Sequence, residues 1–433
     1  MDTHTLKHEL RTYQTDNSEI EDFPATFIWP RYDGLSVGNL AATAAHLLGA
    51  TLPGTLPPLR ENLLAGLTEG VRRVVIVVMD ALGWEQLQWA MAAEGGEGLI
   101  FHRLAKQGRL LPITTVFPST TNNVLSTIWT GQPPIRHGLL AYELYLREWG
   151  MAVESISFSP FFRPFKADLE SWGFEAPDFL PVPSLAQLLS VQGILSYTVA
   201  PKHIVGSSLS QMHNRGVRDI SGYVTASDFW GSLRRTLREH RDERIVVAGY
   251  WSAVDTLGHN YGPRDETGID EIRSIAMLMD ALFFEQLEPA DCKDTLLLLV
   301  ADHGQIGTPP ESAILLTDHP LLRECLFMPP LGESRVPFFY VRAGKYETAW
   351  AYLNRHFPEQ FVFWPQETVI RSGLLGPGTP YTEVRHRLGD IVGVARGDAF
   401  IACNEDDVTR LLGRHGGLTP EEMLVPLLAV RLD

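Results

Sequence analysis

Two apolar runs, Val74-Val-Ile-Val-Val-Met79 and Thr295-Leu-Leu-Leu-Leu-Val300, stand out from a chain whose apolar residues otherwise recur with helical spacing. Runs of this length without polar alternation predict strands buried on both faces, as in the middle of a parallel sheet. Leu110 to Val116, Ile194 to Val199 and Arg244 to Tyr250 read as further strands. Between them the spacing predicts helices over Asn122 to Trp129, Ser184 to Leu189, Ser227 to Glu239 and Ile269 to Gln286. Strands alternating with helices imply an α/β fold around a mostly parallel central sheet. Residues 142 to 160 read as a hairpin or an edge excursion. A strand in Pro337-Phe-Phe-Tyr-Val341, a helix from Lys345 to His356 and a strand in Phe361-Val-Phe-Trp364 follow a different rhythm. This piece, 336–375, reads as a small inserted α+β cap. Residues 1–70 read as a lead-in wrapping the core, which spans 71–335 and 376–433.

Composition narrows the partners more than the fold. The net charge of -16, from 36 basic and 52 acidic residues, disfavours duplex nucleic acid. It leaves an anionic small substrate open, because a bound dication inverts the local field. Cys292, Cys325 and Cys403 are odd in number and far apart, so neither a disulfide framework nor a thiolate metal site is expected. The amino terminus has no apolar core of a signal peptide, and no stretch approaches a membrane span. A cytoplasmic location is the expectation. The oligomeric state leaves no mark on the sequence.

Candidate chemistry gathers where the strands end. Asp80, Asp255 and Asp302 each follow an apolar strand, at the edge where open α/β sheets bind ligands. His303 adjoins Asp302, and His259 follows Asp255 by four residues, which places both on one face of a helix. His415 opens a His-Gly-Gly turn, where glycine permits close backbone approach. Aspartate and histidine without thiolate suit zinc best, then manganese. Val116-Phe-Pro-Ser-Thr-Thr-Asn-Asn-Val124 adds hydroxyls at the start of a helix, a ready cradle for phosphate. Each feature alone is ordinary; their conjunction is not.

Met79-Asp80, the Phe-Pro-Ser-Thr-Thr turn, Val254-Asp-Thr-Leu-Gly-His259, Ala301-Asp-His-Gly304 and His415-Gly-Gly417 resemble the alkaline phosphatase superfamily. The likeness is greatest to its nucleotide pyrophosphatase/phosphodiesterase branch and spans about residues 71 to 425. It implies a three-layer α/β/α core and two divalent metal ions, most naturally zinc. Asp255, His259 and His415 would hold one, and Asp80, Asp302 and His303 the other. Thr121 would be both a ligand of the second and the nucleophile, passing through a phospho-threonine. The Asn122 backbone N–H would donate to a phosphoryl oxygen. The resemblance implies a hydrolase of phosphodiesters or pyrophosphates acting on a small phosphate ester. Tyr142 stands where that branch carries an asparagine touching the phosphoryl group, which puts the substrate in question. Phosphonoacetate-hydrolase-like or phosphomonoesterase activity, or a non-catalytic metal-binding relative, are the alternatives. Phe158, Phe161, Phe162 and Trp172 suggest an apolar or base-stacking wall, and Arg136 and Arg147 are the nearby arginines that could clamp a monoester. Asp318-His319, before Pro320, reads as a turn, and His137, His203 and His213 as structural.

Overall fold

The computed structural model describes residues 2–13, 19–20, 23–161 and 169–433. Seven strands form the central sheet, in the order Arg109–Thr114, Leu424–Arg431, Thr295–Val300, Arg73–Met79, Ile245–Trp251, Leu195–Pro201 and Asp219–Tyr223. Arg73–Met79 runs parallel to both of its neighbours, and Leu424–Arg431 antiparallel to both of its own. Every residue of Arg73–Met79 and Thr295–Val300 is buried. Burial on both faces is why these runs carry no polar alternation. Helices such as Ala226–Glu239 and Trp84–Ala92 pack on the strands and complete the α/β/α layering.

The expected helices are present with shifted ends. Thr121–Thr130 closes at Gly131, which takes φ 68°, a conformation glycine adopts without strain. Glu266–Leu282 starts earlier than its apolar spacing suggests, because the Asp265 side chain caps the Thr267 N–H.

A second sheet of seven strands is antiparallel throughout. Its order is Phe361–Pro365, Ile391–Ala395, Val336–Phe339, Leu331–Glu333, Glu143–Leu146, Met151–Glu154 and Ser159–Pro160. The 336–375 piece and the 142–160 excursion thus contribute strands to one sheet. Ile391–Ala395 lies between Val336–Phe339 and Phe361–Pro365, which do not pair with each other. Arg335, in the turn between two of these strands, is fully buried. Its guanidinium forks onto the buried Glu422, with Nε–Oε1 2.6 Å and Nη2–Oε2 2.9 Å. Glu422 also accepts the Gly417 N–H and the Thr419 hydroxyl, both at 2.8 Å. This pair ties the second sheet to the loop that carries His415.

Candidate metal centre and nucleophile

The carboxyl ends of three adjacent parallel strands bring the acids together. Asp80 directly follows Arg73–Met79, and Asp302 lies two residues past Thr295–Val300. Asp255 and His259 sit on the helix Ala253–Tyr261 that follows Ile245–Trp251. Asp255, His259 and His415 present ligand atoms within 4.8 Å of one another, and so do Asp80, Asp255 and His303. Asp255 therefore reaches both groups. His303 Nε2 lies 3.6 Å from both Asp80 Oδ1 and Asp302 Oδ2.

All three imidazoles are oriented in the same way. His259 Nδ1 bonds the Gly413 carbonyl at 2.7 Å, His303 Nδ1 that of Gly304 at 3.0 Å, and His415 Nδ1 that of Ser119 at 3.1 Å. A carbonyl only accepts, so each Nδ1 carries the proton and each Nε2 keeps its lone pair. Carbonyl anchoring of this kind is what metal-ligating histidines commonly show. His415 is held neutral, its pKa pushed well below the usual value by burial and then by His303 and His259.

The carboxylates are left incomplete. Asp302 Oδ1 accepts the N–H groups of Ala81 and His303, at 3.1 and 3.0 Å, while its Oδ2 is buried without a partner. Asp80 Oδ2 accepts the Tyr250 hydroxyl, and its Oδ1 is likewise buried and unpaired. Burial first, and then the charges of Asp302 and Asp255, raise the Asp80 pKa well above the ordinary range. Two orphaned carboxylate oxygens beside three lone-pair nitrogens are a donor set that fits divalent cations.

Thr121 opens its helix, and its hydroxyl donates to His303 Nε2 at 3.1 Å. The neighbouring hydroxyls do other work. Ser119 Oγ bonds the Gly417 carbonyl at 2.8 Å, and Thr120 engages Glu333. Asn122 is buried with its side-chain NH2 on Ala141 O and Ser155 Oγ, and its backbone N–H stands in the first helical turn.

Tyr142 does not present its phenol in the way its sequence position suggests. The hydroxyl interacts with Glu154, and burial raises its pKa. The Tyr142 backbone N–H donates to Glu333 Oε1 at 2.8 Å. Glu333, on the second sheet, has its carboxyl pushed up to about 7, chiefly by burial. Gly416, at φ 119°, has no room for a Cβ because Glu333 Cγ would lie 2.8 Å from it.

Four contributors escaped the sequence reading: Tyr250, Gln305, Ser119 as an anchor, and Glu333. Gln305 donates to the Asp255 carboxylate, and its place right after Asp302-His303-Gly304 was the available signal. A Cβ on Gly258 would collide with the Gln305 amide oxygen, so the Asp255–His259 helix needs that glycine. The proposed aromatic wall is corrected in part. Phe158 is fully buried and packs on Phe174 and Phe179, with centroids 4.7 and 4.8 Å away, so it can stack on no ligand. Phe162 lies outside the described residues. Arg147 pairs with Glu383 at 2.7 Å. His319 bonds Tyr352 at 3.0 Å, away from the centre. His137 and His213 are buried on Thr127 and Ser126, with pKa values pushed down to about 3 by burial. Among the described residues no helix is long and apolar enough to cross a membrane.

The fold has close counterparts. Murine ectonucleotide pyrophosphatase / phosphodiesterase 5 superposes with a TM-score of 0.59 at 20% identity, covering 82% of this chain and 87% of that one. The inactive murine protein in complex with AMP gives the same TM-score at 19% identity, covering 83% and 88%. Phosphonoacetate hydrolase from Sinorhizobium meliloti 1021, in complex with phosphonoacetate, gives 0.60 at 19%, covering 84% and 92%. No curated protein matches the chain by sequence. The family model for type I phosphodiesterase / nucleotide pyrophosphatase matches residues 74–418, a span that holds Thr121 and every candidate metal ligand, and the chain belongs to that family.

Proposed function

We propose that the protein is a two-metal hydrolase of phosphodiester or pyrophosphate bonds, with Thr121 as its nucleophile. The observation that carries this reading is the Thr121 hydroxyl, 3.1 Å from His303 Nε2, beside two unpaired buried carboxylate oxygens. Asp255, His259 and His415 would hold one cation, and Asp80, Asp302, His303 and Thr121 the other. The all-nitrogen-and-oxygen donor set suits zinc, and the two cations would supply Lewis-acid stabilisation to the attacking and leaving oxygens. Thr121 Oγ attacks phosphorus as the bond to the leaving oxygen breaks, and the resulting phospho-threonine is hydrolysed by water. The Asn122 N–H, at the positive end of its helix, donates to a non-bridging oxygen. Asp80, Thr121 and Asp255 open onto a pocket that no lysine or arginine lines among the described residues. A diester monoanion fits such a site better than a monoester dianion.

Bis-p-nitrophenyl phosphate, assayed with and without chelator in wild type and Thr121→Ala, tests the reading. Metal-dependent turnover that Thr121→Ala abolishes is expected. Two metals bound with no turnover, or faster cleavage of the monoester or of phosphonoacetate, would overturn it.

A further inference from the structure

Thr120 stands at the N-cap of the helix Thr121–Thr130, with the extended backbone of a capping residue, φ -138° and ψ 144°. Its side chain nevertheless accepts from none of the first-turn N–H groups. At other helix starts Ser184, Ser207 and Thr225 accept the N–H three residues on, at 3.1, 3.3 and 3.2 Å. The first N–H groups of a helix have no acceptor within the helix. Where the cap is withheld, they are left to another partner.

Every hydroxyl at this helix start is drawn elsewhere. Ser119 Oγ donates to the Gly417 carbonyl at 2.8 Å and accepts the Gly416 N–H at 3.2 Å. Thr121 donates to His303. The Thr120 hydroxyl engages the Glu333 carboxylate. Two features bring that carboxylate to the helix. The Tyr142 N–H fixes Glu333 Oε1 at 2.8 Å. The Glu333 stem crosses Gly416, where a Cβ would lie 2.8 Å from Glu333 Cγ and 2.9 Å from its Cβ, so the crossing needs a glycine. Glu333 ends the strand Leu331–Glu333, in the hairpin that Arg335 fastens to Glu422.

Building on the phosphoester reading, we propose that Glu333 is a positioning residue that keeps the nucleophile's helix uncapped. By holding the Thr120 hydroxyl it leaves the first-turn N–H groups, that of Asn122 among them, to a phosphoryl oxygen. The role needs no contact between Glu333 and substrate, because it is exerted through Thr120. Without Glu333, the Thr120 hydroxyl turns back onto the Asn122 or Asn123 N–H, the bond its backbone is already shaped for. The helix start then binds its own side chain in place of the phosphoryl group.

Amide hydrogen exchange of the full-length, zinc-loaded protein without substrate reads the cap directly. In Glu333→Ala the Asn122 or Asn123 N–H should exchange about fivefold more slowly than in wild type. Glu333→Gln, which keeps a partner for the Thr120 hydroxyl, should exchange at the wild-type rate. Adding Thr120→Val to Glu333→Ala removes the hydroxyl along with its holder, so exchange should return to the wild-type rate. By calorimetry this double variant should bind inorganic phosphate about fivefold tighter than Glu333→Ala, a comparison in which both proteins lack the same charge. Its kcat/KM for bis-p-nitrophenyl phosphate should recover by the same factor. Glu333→Leu repeats the single substitution without opening a cavity, should Glu333→Ala not fold. Unchanged exchange at both N–H groups, or a double variant no better than the single one, would overturn the assignment. Should exchange and phosphate binding follow this pattern while wild type hydrolyses no phosphoester, Glu333 keeps its role and the hydrolase reading falls instead.

Discussion

The two halves of the candidate metal centre differ in their access to water. Asp80, Asp302 and His303 keep 4, 0 and 0% of their side-chain surface exposed, whereas Asp255, His259 and His415 keep 17, 21 and 10%. The inner set is built from residues at the ends of two buried strands, the outer one from a surface helix and a loop. Water screens the outer charges more than the inner ones. The inner carboxylates face each other in a low dielectric, where only a cation or a proton relieves them. On the two-cation reading, the inner set would need its ion more than the outer one does.

The largest expected effect lies at the junction with the nucleophile. Thr121→Ala should lower turnover of the zinc-loaded protein on the order of 10⁴-fold while leaving metal content unchanged. Elemental analysis beside the assay separates a lost nucleophile from a lost ion. Removing ligands should then expose the asymmetry. Asp302→Ala should lose one metal that excess zinc does not restore, whereas His259→Ala should regain activity as zinc is raised. Equal rescue of both would erase the distinction. Arg335→Ala leaves the buried Glu422 carboxylate without its cationic partner, and a stability loss of about 3–5 kcal/mol is expected in denaturant unfolding. The outer set should suffer most, because Glu422 holds the Gly417 N–H beside His415.

The metal-free protein gives a pH signature of the inner set. The Asp80 pKa is raised in the folded state, so its protonated form favours folding. That contribution is full below the ordinary value of 3.8 and is lost as pH rises through the folded value. Apo melting temperature should therefore fall on raising the pH from about 4, and Asp80→Asn should flatten the fall. Zinc should abolish it in wild type. Glu333 gives the smallest effect. With its pKa at about 7, it should cost on the order of 2 kcal/mol between pH 4.5 and 7. Glu333→Gln should remove that slope in a series of melts and leave the Asp80 slope in place.

The inner half was the more legible from sequence. A strand buried on both faces has to be a continuous apolar run, so Asp80 and Asp302 announce themselves by interrupting one. Asp255 and His259 were readable through helical spacing. What stayed hidden depends on pairings distant in the chain. The Tyr142 N–H meets Glu333 across 191 residues, and no periodicity marks either partner. Ile391-Val-Gly-Val-Ala395 enters the second sheet between two strands that look adjacent in sequence. Tyr142 was placed by analogy with an asparagine, but its phenol is committed to Glu154, and only the backbone N–H turns inward. Phe158 has the composition of a binding wall and the burial of a core residue.

The orientation of His259, His303 and His415 comes from the carbonyls of Gly413, Gly304 and Ser119. Main-chain oxygens are present whatever side chain a codon specifies. Replacement of a neighbouring side chain therefore cannot delete these three anchors, as it can delete an aspartate or glutamate that orients a histidine. The aim of the imidazoles is inherited with the path of the backbone. Sequence drift is then free to alter the walls around these three histidines while their Nε2 atoms keep their bearing.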